Sequence, residues 1–456
     1  MDAAIFERVL TPEGWRGDVL IGWSGGRITT VAPEVGAATP AAVRRIPGVA
    51  VPGVGNLHSH AFQRGFAGLT ERRGAGAEDH FWTWREAMYR FAAAMTPERL
   101  RVIAAQAQIE MLESGFAGVA EFHYVHHAPD GRPYDDPAEM AGAVAAAAAG
   151  TGIGLTLLPV FYAHGGFGDR RIGDGQRRFA CDLDLFSRLH ECAGRMVAAL
   201  PEGRIGIAPH SLRAVNGGEL AELVRRHGDG PIHIHIAEQV AEVEDCLAAT
   251  GARPVDRLFD LAEIDARWCL VHATHVTAGE IERMARSGAV AGLCPITEAD
   301  LGDGIFPAVA YRRAGGLWGV GSDSNVLISL AQELRLLEQS QRLVDRARNR
   351  LVDPPRSTGR TLFDTAVVGG AQALGRQTHG ITVGAPADLV VLDADHPALA
   401  GRHDDTVLDA WIFAAATNPV RDVWVAGRQV VSGGRHTMRE RVAGEFRRVM
   451  RETAEI

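Results

Sequence analysis

Eight apolar runs of strand length recur through the middle of the chain, each followed by a segment long enough to hold a helix. The first opens at Val51 and ends in His58-Ser59-His60. The others are Ala117–His123, Gly154–Phe161, Arg204–Pro209, Pro231–Ile236, Trp268–Val271, Ala289–Cys294 and Leu317–Gly321. Strands alternating with helices in that number predict an α/β fold, a (β/α)8 TIM-like barrel with parallel strands. One helix is legible in detail: Thr96-Pro97-Glu98 supplies a hydroxyl cap and a first-turn proline, and Gly115 is placed to stop it. The two ends of the chain differ from the middle. Strand-like segments with glycine turns fill residues 1 to about 50, and Ala387–Leu392 and Val423–Val431 repeat that character. The prediction is two domains: a small β-sandwich built from residues 1–50 and 378–456 together, and a barrel over residues 51–377.

In such a barrel the active site gathers at the C-terminal ends of the strands. In order, those ends carry His58 and His60, Tyr124, His164, His210, His235, His272, Thr297 with Glu298, and Asp323. One histidine at a strand end is coincidence; five of the eight ends with histidine, and an aspartate on the last, make a site. Alternate residues of a strand share a face, so His58 and His60 stand about 7 Å apart and can grip one ion. With His235 and Asp323 they form a three-nitrogen, one-oxygen set suited to zinc or ferrous iron. Each imidazole alone fits a hydrogen-bonded core group equally well, but imidazoles converging without a metal would leave buried polar groups unsatisfied.

Three further residues, and Asp323 again, take roles from their position. Glu238, three residues past His235, can reach a metal-bound water and a leaving nitrogen, as a proton shuttle must; its competing role is a carboxylate at a helix N-terminus. His272 can hydrogen-bond that water or polarise a substrate. Asp323 can ligate the metal and accept a proton. His233, on the same face as His235 but deeper, reads as a core or supporting group.

Composition narrows the partners. Net charge is −9 and the basic residues are scattered, which argues against nucleic acid. No apolar run reaches the ~20 residues of a membrane span, and the N-terminus lacks the pattern of a signal peptide. Five cysteines with no C-x-x-C pair suit reduced thiols in a cytoplasmic protein. All basic side chains are arginine; the absence of lysine excludes Schiff-base chemistry and a carbamylated lysine bridging two metals.

The runs Asn56-Leu57-His58-Ser59-His60, His235-x-x-Glu238, His272 and Gly321-Ser322-Asp323-Ser324 resemble the amidohydrolase superfamily, and within it the mononuclear deaminase branch. Further segments sharpen the resemblance: His58–Arg64, Phe81–Glu86, Ala120–His127, His210–Val215, His233–Gln239 and Leu301–Pro307. They are most similar to enzymes of histidine degradation that hydrolyse N-formimidoyl-L-glutamate to N-formyl-L-glutamate and ammonia. The resemblance implies one zinc per chain, with ferrous iron as the other option, held by His58, His60, His235 and Asp323. It implies Glu238, His272 and Asp323 in catalysis, with a metal-activated water attacking the formimidoyl carbon while Glu238 shuttles protons. It implies Gln63, Arg85, Tyr124, His210 and Arg213 as the binding set for a small dicarboxylate, and a homodimer. The chemistry agrees: an acidic protein needs local cations for two carboxylates, and arginine forks match carboxylates bidentately.

Cys294-Pro295-Ile296-Thr297-Glu298 departs from the Cys-Pro-x-Ser-Asn common among deaminases of the superfamily. This weakens the main alternative, a deaminase or chlorohydrolase of a neutral heterocycle, as do Arg85 and Arg213. A non-catalytic scaffold is the remote alternative. Glu298, which could meet a cationic formimidoyl group, and Asn325 receive no role. Arg85 is expected in an aromatic loop whose Trp82 and Trp84 form either a lid or packing, and His123, His126 and His127 are expected as loop structure.

Overall fold

The computed structural model describes residues 2–33, 43–71, 73 and 80–453. Chain order begins with four strands, β1 (Asp2–Thr11), β2 (Gly14–Ser24), β3 (Arg27–Pro33) and β4 (Arg44–Pro52). Nine follow through the middle: β5 (Val54–Ser59), β6 (Phe116–His123), β7 (Gly154–Phe161), β8 (Arg204–Ile205), β9 (Ala208–Pro209), β10 (Ile232–Ile236), β11 (Trp268–His272), β12 (Val290–Leu293) and β13 (Leu317–Val320). The last four are β14 (Leu389–Leu392), β15 (Val420–Val425), β16 (Arg428–Ser432) and β17 (Arg435–His436).

The middle strands lie in two parallel sheets. One runs β5-β6-β7-β8, with β9 also on β7, and the other runs β10-β11-β12-β13. Their flanks meet twice. Ile207 bridges Ile232 in parallel, and Ser59 bridges Asp323 in parallel. At the second meeting the Asp323 amide donates to the His58 carbonyl and the His60 amide to the Asp323 carbonyl, both at 2.9 Å. These strands are buried on both faces, so they read as continuous apolar runs rather than alternating ones. The predicted fourth strand is interrupted, giving β8 and β9 in place of one run. The helix Pro97–Ser114 is capped as expected: Thr96 Oγ1 accepts from the Arg99 amide at 3.3 Å, and Gly115 closes it at φ +105°.

The terminal strands depart from the predicted sandwich. They form a single eight-stranded sheet, β17-β16-β15-β14-β4-β1-β2-β3, because β14 pairs directly with β4 and so carries hydrogen bonding across without a break. This sheet curls over a core of its own that includes Phe6, Ile21, Trp23, Ile46, Leu389 and Trp424. It passes into the parallel sheets at Gly53, where a Cβ would lie 2.4 Å from that of Ala117, so only glycine lets β4 run into β5. The buried pair Arg376–Asp388, 2.6 Å apart, ties the segment before β14 to the N-terminal side of the parallel strands: the same guanidinium lies against Gly118 and Gly154.

Candidate active site

Strand direction places the site. His58 lies within β5, His60 one residue past it, His235 in β10, His272 at the end of β11, and Asp323 three residues after β13. His58 and His235 Nε2 are 3.0 Å apart, and His58 and His60 Nε2 3.2 Å. Asp323 Oδ1 is 3.4 Å from His58 Nε2 and 3.3 Å from His60 Nε2. Donors at the corners of a tetrahedron around a metal bound at ~2.1 Å are about 3.4 Å apart. His60 Nδ1 donates to the Phe122 carbonyl at 2.9 Å, so its Nε2 presents a lone pair to the cluster. Burial pushes the imidazoles down, His58 to about 4, His60 to about 3 and His235 well below its ordinary value. Burial opposes charge on Asp323 too, but the surrounding imidazoles hold it below the usual carboxylate range. Neutral imidazole lone pairs packed at 3.0–3.2 Å beside a carboxylate repel unless a cation sits among them, so this donor set fits one divalent metal.

The backbone here is unusual. Ala237, His272, Ala273, Asp323 and Asn325 all have positive φ, between 42° and 67°; the first three end or directly follow β10 or β11, and the last two lie in the segment beyond β13. Non-glycine residues held there carry strain of order 1 kcal/mol or more, a feature of sites whose side chains must be aimed. Asn325 compensates. Its Nδ2 donates to Ser59 Oγ, the His60 carbonyl and the Asp323 carbonyl at 3.1–3.2 Å, and its Oδ1 accepts from Ser322 Oγ at 2.6 Å. Asn56 completes the set through Ser322.

Beside the donor cluster stands a ring of carboxylates. Glu238 Oε1 lies 3.8 Å from His272 Nε2, and Glu238 Oε2 lies 4.0 Å from Arg213 Nη2. Burial raises the Glu238 carboxyl to about 7, against the pull of His272 and Arg213. His272 is also buried, which alone would lower it, but Glu238, Glu298 and Asp323 raise it to about 10. Its Nδ1 meets Glu298 Oε1 at 3.3 Å, and the same oxygen accepts from the Cys294 amide at 2.9 Å. Glu298 therefore orients His272 from behind. The Glu238 turn is held by Glu242, whose carboxylate accepts from the Ala237 and Glu238 amides.

A cleft with about 690 Å³ of empty space, part of it open to solvent, lies over this cluster and is lined by His60, His235, Glu238, His272 and Asp323. The same lining holds all five predicted binding residues, Gln63, Arg85, Tyr124, His210 and Arg213, with Trp84, Tyr89, Tyr162 and Phe179 added. Gln63 Nε2 donates to the Tyr124 hydroxyl at 2.8 Å. Arg85 lies on the helix Phe81–Ala93 rather than in a loop, its guanidinium 4.3 Å from the Trp82 ring centre. Arg213 lies 5.8 Å from the same ring. Trp84 packs on Phe66 and Phe81. Burial pushes His210 well below its ordinary value, and Arg213 adds to this, so it faces the cleft neutral.

Two strand-end residues lie outside the cleft, and His233 is the deeper, supporting group expected. His164 is taken by Glu219 at 2.9 Å and Asp169 at 3.4 Å, outside the cleft. Thr297 bonds Ser324. His233 bonds the Ala373 carbonyl at 2.8 Å, deep below the site. His126 and His127 bond main-chain carbonyls and serve the loop. Sequence reasoning missed Tyr89, Tyr162, Phe179 and Glu242; the strand-end position of Tyr162, directly after β7, was the available signal.

Residues 49–430 match the model of the amidohydrolase family. Formimidoylglutamate deiminase of Pseudomonas aeruginosa is 50% identical over 99% of each chain. The crystal structure of an amidohydrolase from Brucella melitensis superposes with a TM-score of 0.95, at 50% identity over 99% of both chains. An adenosine deaminase from Xanthomonas campestris, solved with bound zinc, superposes with a TM-score of 0.83 over all of this chain and 98% of that one; at 24% identity the likeness is one of fold.

Proposed function

The chain belongs to the amidohydrolase family, and from that premise we propose that it hydrolyses N-formimidoyl-L-glutamate to N-formyl-L-glutamate and ammonia. The observation that carries this reading is the pairing, in one cleft, of a single-metal donor set and Glu238 with the two guanidiniums of Arg85 and Arg213. A neutral heterocycle gives those guanidiniums nothing to bind. A dicarboxylate gives each a partner.

We assign His58, His60, His235 and Asp323 as ligands of one zinc or ferrous ion, which when bound lowers the pKa of water and polarises the substrate. Gln63, Arg85, Tyr124, His210 and Arg213 fix the glutamate part, so that the formimidoyl carbon lies beside Glu238. Glu238, close to half-ionised near neutral pH, takes the proton that water loses on attacking this carbon. It then delivers a proton to the departing nitrogen. Nitrogen leaves as ammonia, the hydroxyl left on the carbon gives its proton to Asp323 as a C=O bond forms in place of the C=N bond, and N-formyl-L-glutamate remains. His272, held cationic by its carboxylate neighbours, donates from Nε2 to the developing oxygen.

We further assign residues 51–377 to a (β/α)8 barrel, supported by the two parallel sheets meeting at both flanks, and residues 1–50 with 378–456 to the second domain. Five free thiols support a reducing, cytoplasmic setting, and no helix among the described residues is long and apolar enough to cross a membrane. A homodimer is the assembly we expect. Turnover of N-formimidoyl-L-glutamate with identification of both products tests the assignment. Release of formamide and glutamate would move the broken bond to the other nitrogen, and turnover of heterocyclic amines alone would replace the substrate.

A further inference from the structure

Two tyrosines in the cleft are built alike. Each phenol oxygen accepts a hydrogen bond from a buried glutamine: Gln63 Nε2 to Tyr124 at 2.8 Å, and Gln176 Nε2 to Tyr162 at 2.7 Å. The first pair is already assigned to substrate. The second comes from the turn Gly173–Gln176 and has no role in the reading above.

The Gln176 amide is fixed without ambiguity. Its Oε1 accepts from the Gly173 amide at 2.9 Å, and a main-chain N–H can only donate. The Nε2 must therefore face Tyr162, and it can only donate. A phenol that accepts there has its own proton left to place. Tyr162 is 6% exposed, lines the cleft, and among the described residues no protein acceptor takes that proton. Its ring stands edge-on to His210, centres 4.7 Å apart, and it feels the positive charge of both Arg213 and Arg85. A buried donor that lines the same cleft as two guanidiniums is matched by a carboxylate oxygen.

We propose that Tyr162, oriented by Gln176, donates its phenol proton to one of the two substrate carboxylates that Arg85 and Arg213 hold, and so sets specificity for a dicarboxylate. This rests on the proposed function. The geometry makes Tyr162 a binding residue and Gln176 a positioning residue acting through it.

Tyr162→Phe removes the proton and little else. Its KM for N-formimidoyl-L-glutamate should rise about 10- to 100-fold with kcat within about threefold. Two analogues locate the contact: N-formimidoyl-L-2-aminobutyrate lacks the side-chain carboxylate, and 4-(formimidoylamino)butyrate lacks the α-carboxylate. The penalty in kcat/KM should vanish for one of the two and persist for the other. Gln176→Leu, which keeps the phenol but frees its orientation, should raise KM by a smaller factor. An unchanged KM in Tyr162→Phe, a loss confined to kcat, or a penalty equal for all three substrates would overturn the inference while leaving the proposed function standing. Absence of turnover by the unsubstituted enzyme would overturn both.

Discussion

Glu298 Oε1 lies 3.3 Å from His272 Nδ1, and both side chains are buried. The carboxylate fixes which nitrogen of the ring points outward. His272 Nε2 is thereby aimed between Glu238 Oε1 and Asp323 Oδ2, 3.8 Å from each. Glu298→Gln keeps the shape but removes a charge that raises His272. Turnover should fall by about tenfold or more, and the alkaline limb of the pH–rate profile should move to lower pH. An alkaline limb left in place would show that Glu298 does not act on this ring.

The unsubstituted enzyme should show a bell-shaped profile. Glu238 must be ionised to take a proton, so activity rises with pH through its pKa, about 7 with burial as the main cause. His272 must be protonated to donate, so activity falls as pH passes its pKa, about 10. The charge of a bound divalent ion pulls both limbs downward, so they are expected at or below these values. An activity that rises monotonically to high pH would remove His272 from the donor role.

Glu238→Gln retains the side-chain volume and its place beside His272 but cannot accept a proton. Turnover should drop by about 100- to 10,000-fold with metal content unchanged by elemental analysis. Near-normal turnover would refute the shuttle.

Arg213→Ala acts on binding and, through its 4.0 Å approach to Glu238, on titration. KM should rise about 10- to 100-fold. The acid limb should move to higher pH, because the guanidinium lowers the Glu238 pKa. Metal content should not change. A loss of bound metal instead would mean that Arg213 supports the site's architecture.

Asn325→Ala tests the seam between the two parallel sheets. It deletes a donor shared by the His60 and Asp323 carbonyls and the acceptor of Ser322 Oγ, which weakens the hydrogen bonding across the seam. Metal affinity, measured against a competing chelator, should weaken about 10- to 100-fold, and thermal stability should fall with it. Unchanged affinity would show the donor cluster to be held by its strands alone.

The parallel strands were legible because burial on both faces writes them as unbroken apolar runs; Gly154–Phe161 is found with the predicted ends. The donor cluster was legible because strand period and strand ends are local properties, and they place His58, His60, His235 and Asp323 without knowledge of packing. Partner choice is not local. His164 also ends a strand, yet Glu219, brought near by a separate helix, takes it away from the cleft. Glu298 and Glu242 acquire their tasks from groups that only folding brings close. The terminal sheet was misjudged for the same reason: the strands are readable, but the pairing of β14 with β4 that makes them one sheet spans more than 300 residues of chain.

The most direct test is ammonia release from N-formimidoyl-L-glutamate by protein loaded with zinc and by the same protein after chelation, with the carbon product identified. Metal-dependent ammonia in equal amount to N-formyl-L-glutamate is the predicted result. Equal ammonia release with and without metal, or none from the loaded protein, would contradict it.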